Sequence, residues 1–203
     1  MSARRERRRA TLRDRQAPRF ALFGETLLTG VVVLVASIPL VTAVPAFAAG
    51  VRHLRRHATG ESDSIRVLIG DLGQAIRRLW PLGAVVAVVA GFLLVDAWAL
   101  GGMQLPAAEA ITVVLTLFGA GATVVLLRFT GSWVPTAGVR GQLQRACLES
   151  WTDLIGSLLL LLAAGAAVVV VWMFPAFVLV SGGLLCLAAY GVDARLEAIS
   201  SAE

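Results

Sequence analysis

The chain has 203 residues, 58% of them hydrophobic and 15% charged, with a mean hydropathy of +0.81. A soluble domain carries nearer a quarter charged residues, so this chain has more apolar surface than one water-facing core hides, and lipid is the expected solvent. The net charge of +5 comes entirely from arginine, and the two isolated cysteines, Cys147 and Cys186, exclude a disulfide framework or a cysteine-based zinc site.

Residues 1–19 hold eight arginines against Glu6 and Asp14. Self-repulsion predicts a disordered tail. No aromatic residue is interleaved, so nucleic acid is not the expected partner. The tail reads as a cytosolic anchor beside anionic headgroups, where each arginine near the surface contributes about 1 kcal/mol.

Phe20 to Ile38 is an apolar run whose one charge is Glu25. At about 1.5 Å per residue it is long enough to cross a hydrocarbon layer about 30 Å thick. Pro39 stops it, and Ser37 and Thr42 stand where they can bond the backbone groups that the proline frees. Arg19, the apolar run and Ala46-Phe47-Ala48 also imitate a secretory signal with its cleavage site. Cleavage there would leave Arg52, Arg55 and Arg56 outside, against the bias of arginine for short cytoplasmic loops. The segment is therefore read as a retained hairpin, 20–57. Its return limb, Leu40 to Val51, is short for a crossing: it either relies on Arg52 and Arg55 snorkelling to the interface or is re-entrant.

Residues 58–64 form a turn, with Ser62 or Asp63 as an N-cap. From Ile65 to Trp80 apolar residues fall at 65, 68, 69, 72, 76, 79 and 80, which is helical spacing with one stripe. Arg66, Asp71, Gln74, Arg77 and Arg78 take the other faces, so a surface helix, 65–80, is expected on the inner membrane face. Pro81 then opens a separate span at a first-turn position. The second hairpin is 82–127, with Asp96 read as an interfacial carboxylate near its outer turn, 101–106. A Gly/Ser/Pro turn at 131–138 precedes a second surface helix, 139–151, with a stripe of Val139, Leu143, Ala146, Cys147 and Trp151 that runs on to Leu154. The third hairpin is 154–190, and Asp193, Arg195 and Glu197 lead to a polar tail, 198–203. Trp80 and Trp151 mark the junction of surface helix and span in the two repeats.

The arginines sort cleanly: eight in the tail, six in 52–78, three in 128–145 and one at 195, with none in the outer turns. Six crossings with both termini cytoplasmic put all of them inside.

Little in the chain suggests chemistry. His53 and His57 share a helix face, but Arg52, Arg55 and Arg56 surround them and no third ligand is evident, so no metal centre is expected. No P-loop, catalytic triad or H-E-x-x-H pattern occurs, so neither an enzyme nor a cofactor is expected. Small-residue clusters at 119–122, 163–167 and 182–183 suit close helix packing, with homo-oligomerisation or partner docking as the sharper reading. The spans offer few polar groups beyond Thr42, Thr112, Thr116 and Thr123, which argues against a permease acting alone.

The run Ile38-Pro39-Leu40-Val41-Thr42-Ala43-Val44-Pro45-Ala46 resembles the "slPvvTigPA" turn of the YesL-like family, bacterial membrane proteins of unknown function. As in that family, a basic helix, a polar turn with Gly60 and Glu61, and a surface helix entering a span follow it. Leu126 to Phe129 and Gln142 to Ser150 are similar to the family's second basic-aromatic helix and its "lkNAlll" region. Arg145-Ala146-Cys147 replaces the usual Asn-Ala pairing, and an Arg/Leu-rich surface helix replaces a Phe/Lys-rich one. The resemblance covers residues 20–197. Family members are often encoded beside carbohydrate ABC-transport systems, so it implies an accessory role in sugar uptake.

The expected fold is an all-α, polytopic bundle in a bacterial plasma membrane, with about six spans and two cytoplasmic-face amphipathic helices. The expected function is that of a non-enzymatic accessory or assembly factor touching ABC permease subunits. The alternative is a small transporter or channel with its site at the broken Pro39–Pro45 segment. Pro39, Thr42 and Pro45 are the shape-setting positions; Arg52, Arg55, Arg77 and Arg78 are the inner-face contact surface.

Overall fold

The structure is a computed structural model and describes Gly24 and residues 26–59, 65–101 and 108–201. The arginine-rich tail, the caps Ser62 and Asp63 and most of the outer turn at 101–106 lie outside these residues. Seven α-helices follow one another among them: α1 (Thr26–Ala36), α2 (Ala43–Thr59), α3 (Ile65–Gly101), α4 (Ala108–Ser132), α5 (Val139–Thr152), α6 (Leu154–Met173) and α7 (Val178–Ser200). Short 3-10 turns at Leu40–Thr42 and Pro175–Phe177 precede α2 and α7. Four stretches are long and apolar enough to cross a bilayer: Ile65–Ala99, Ala108–Ser132, Leu154–Met173 and Pro175–Ile199. The chain is thus an all-helical, multi-pass membrane protein.

α2 is the element around which the others pack. It buries Val44, Ala46, Ala48, Ala49, Val51 and Leu54 against α3, α4 and α7. Its alanines bring neighbouring backbones close, as small residues do in membrane bundles. Val44, Ala48 and Ala49 join Leu68, Ala75 and Leu79 of α3 and Phe129 of α4 in one core. Ala46, Val51 and Leu54 join Val33 of α1, Leu160 of α6 and Cys186 of α7 in another. α1 crosses α7 backbone to backbone, and a β-carbon on Gly183 would collide with the Thr26 carbonyl.

Three element boundaries differ from those the sequence predicts. The surface helix 65–80 and the following span are one continuous helix of 37 residues, with Pro81 inside it. Proline removes one backbone hydrogen bond, and membrane helices accommodate the freed carbonyl without ending. The predicted inner-surface stripe is also turned inward in part: Leu68 and Leu79 are buried in the α2 core, whereas Ile65, Ile69 and Trp80 are exposed. α4 runs on to Ser132 and α7 to Ser200, so Arg128, Asp193 and Arg195 are helical. Ion pairing between helices makes these extensions stable where solvated charges would let the ends fray.

A helix covers the predicted segment 139–151, at α5, with Ala146 buried and Leu148 and Trp151 exposed. α6 starts at Leu154, the residue at which the apolar run begins.

Candidate functional site: a belt of ion pairs at one end of the bundle

The three shape-setting residues meet at one turn. Pro39 is extended at ψ 106° and breaks the path from α1, and Ser37 N–H bonds back to Val33 O at 2.9 Å. The Thr42 hydroxyl donates to Pro39 O at 2.7 Å and also reaches Ala36 O, closing the carbonyls that the break leaves open. Pro45 lies in the first turn of α2, where its missing N–H has no intrahelical role. A fourth position, which the sequence does not single out, completes the turn. A β-carbon on Gly83 of α3 would run into the Val41 carbonyl and touch Pro45 Cδ at 3.6 Å, so only glycine lets α3 lie this close.

The four arginines expected on the inner face separate into two pairs. Arg52 and Arg55 point into the bundle. Arg52 Nη1 lies 3.3 Å from Asp71 Oδ1 and donates to Gln74 Oε1 at 3.1 Å. Arg56 takes the other oxygen of Asp71 at 2.8 Å, so one carboxylate of α3 holds two guanidinium groups of α2. Arg55 pairs with Asp193 of α7, donates to Gly131 O of α4 at 2.8 Å and lies 5.9 Å from the Tyr190 ring centroid, within cation–π range. Arg77 and Arg78 are exposed on α3, next to Trp80.

A second cluster sits where α4, α6 and α7 converge. The Arg128 side chain is only 2% exposed, and its Nη2 donates to Asp153 Oδ2 at 3.0 Å, to Asp153 O at 2.8 Å and to Ser157 Oγ at 3.1 Å. Ser157 in turn donates to Ser150 O. Asp153 also caps α6 through Gly156 N–H at 3.0 Å and faces Arg195 at 3.6 Å. Burial pushes the Asp153 carboxyl up, but the Gly156 N–H, the Arg128 guanidinium and Arg195 outweigh it and hold the group below its ordinary range. The acids are thus partners that sequence reasoning leaves on a surface helix (Asp71), at the start of a tail (Asp193) or unremarked (Asp153). Only Asp153 carries a readable signal: it is the last charged residue before a long apolar run, an N-cap position.

Among the described residues no group of three His, Cys, Asp or Glu side chains converges as a metal site would need. His53 is buried within α2. Toward the other end, α3 and α4 enclose a crevice of about 210 Å³ lined by Leu93, Leu94, Ala97, Thr112, Leu115 and Thr116. Its two threonine hydroxyls bond carbonyls of their own helix, Thr112 to Ala108 O and Thr116 to Thr112 O. The crevice is therefore chemically apolar, while the ion-pair belt is built to hold helices together.

No family model matches the chain, and neither the curated proteins nor the solved structures include a match to it.

Proposed function

We propose that this chain is a non-enzymatic accessory or assembly factor of a bacterial plasma membrane, with both termini cytoplasmic, acting beside a carbohydrate ABC uptake system. The association with sugar uptake rests on the resemblance to the YesL-like family. The orientation rests on the arginines, which side with the cytoplasm. An even number of crossings then brings both ends to that side.

The observation that carries the accessory reading is how the charges at the base are used. Arg52, Arg55, Arg56 and Arg128 are paired with Asp71, Asp193 and Asp153 across α2, α3, α4, α7 and the junction of α5 with α6. That arrangement fixes a bundle and leaves Arg77 and Arg78 exposed beside Trp80, facing anionic headgroups or a partner's cytoplasmic surface. Bare apolar faces on α3, α4 and α6 give permease subunits or a second copy room to pack. The test is co-purification from gently solubilised membranes. Stoichiometric recovery of an ABC permease subunit supports the reading; repeated recovery of this chain alone refutes it.

The second reading is a small transporter or channel acting at Pro39–Pro45. It is favoured by the broken helix there. It is disfavoured by Thr42, whose hydroxyl is engaged within the turn. Solute flux into liposomes containing only this protein would establish it.

A further inference from the structure

The hairpin of α1 and α2 has two fixed points, and together they set its depth. Its base is held by Asp71, which pairs with Arg52 and Arg56. Its tip is held where Val41 O meets Gly83. From Val41 through the 3-10 turn and α2 to Arg52 is about 17 Å at helical rise; along α3, Asp71 to Gly83 is about 18 Å. The two packed segments thus run side by side over the same distance. It is little more than half of a hydrocarbon layer of about 30 Å. α3 continues beyond the tip from Gly83 to Gly101, about 27 Å further.

The surface of the tip fits this depth. Ile38 is 77% exposed, and Leu40 and Val41 are exposed beside it. A turn in water favours Gly, Asn, Asp or Ser at such positions. The exposed side chains of this one are hydrocarbon, and its backbone closes in part internally: Thr42 N–H to Pro39 O at 2.7 Å, Ile38 N–H to Val35 O at 3.3 Å, and the Thr42 hydroxyl to Pro39 O and Ala36 O, whereas the Ser37 hydroxyl, expected to bond a freed backbone group, is buried without a partner. Internal closure of backbone groups is what lipid requires.

We infer that residues 26–59 form a re-entrant hairpin that enters and leaves the bilayer on the arginine side, and that the tip, Ile38 to Val41, is an interaction surface for lipid acyl chains of the near leaflet, short of the midplane because Arg77 and Arg78 precede Gly83 by only about 8–9 Å. The chain then crosses the bilayer four times, with α3, α4, α6 and α7. This goes beyond the accessory role and does not depend on it, since depth is read by labelling the protein alone and the role by what co-purifies.

The test uses the full chain with Cys147→Ala, retaining the buried Cys186. Thr136→Cys, exposed in the loop before α5, reports the base; Ile38→Cys, on an exposed side chain, reports the tip. In sealed vesicles of either orientation, a membrane-impermeant maleimide is expected to modify residue 136 from one face and residue 38 from neither. A nitroxide at residue 38 is expected to be relaxed by oxygen more than by a nickel chelate, with a depth inside the hydrocarbon of the near leaflet. Labelling of residue 38 from the face opposite residue 136 means a full crossing and overturns the inference. So does labelling from the same face, or a nitroxide depth at the headgroups. Leu40→Cys repeats each measurement in case the first variant folds poorly.

Discussion

Along α3, the residues before Gly83 and those after it share one helix and differ in surroundings. The first arm buries Leu68, Asp71, Ala75 and Leu79 under α2. The second arm leaves Val85, Val88, Phe92, Leu94 and Val95 exposed, and Trp98 is 84% exposed. In water such an arm would collapse onto the bundle. In lipid there is no hydrophobic drive between helices, because acyl chains are as apolar as valine. Helix association at the base instead comes from ion pairs, close backbone approach and dense packing. Burial therefore marks where this protein is held together, and exposure marks where lipid does the solvating.

That contrast can be broken most strongly at Asp153. Asp153→Asn leaves the Arg128 guanidinium buried without its counter-charge and is expected to cost about 3–5 kcal/mol of unfolding free energy in detergent. Replacing both, as Arg128→Met with Asp153→Leu, is expected to recover most of the loss, because the penalty comes from the orphaned charge. Next in size, Leu79→Ala in the packed arm is expected to cost about 2–4 kcal/mol by transfer and cavity terms. Gly83→Leu should cost about 1–3 kcal/mol by forcing the Val41 turn off α3, and limited proteolysis at that turn reads the displacement directly.

Acidity sharpens the same contrast. The Asp153 carboxyl lies below its ordinary range when folded, so its contribution is present in full above the unfolded value of about 4 and is lost as pH falls through the folded value. Thermal midpoints should decline on acidification below about pH 4, and Asp153→Asn should remove that part of the decline. The smallest effect is expected on the bare arm: Val88→Ala should change stability by no more than about 0.5 kcal/mol.

The sequence made the apolar elements legible because each is a long, nearly charge-free run, and length against bilayer thickness is a strong constraint. The start of α6 at Leu154 and the extent of α5 follow from that and from stripe periodicity. Pro81 misled because a proline between a polar and an apolar stretch looks like a boundary, and nothing local says the helix continues through it. The depth of the first hairpin was undecidable from Leu40 to Val51 alone, since the answer lies in contacts with Asp71 and Gly83, distant in sequence. Arg52 and Arg55 are readable as interfacial charges but not as internal ones. Their partners Asp71 and Asp193 stand 19 and 138 residues away from them in the chain, a separation that no periodicity encodes.

Gly83 is the middle residue of α3. A rod pinned at its centre by the Val41 carbonyl behaves as a balance beam with equal arms. One arm is held along its length, at Asp71 as well as at the pivot, and the other projects from it with little but lipid to steady it.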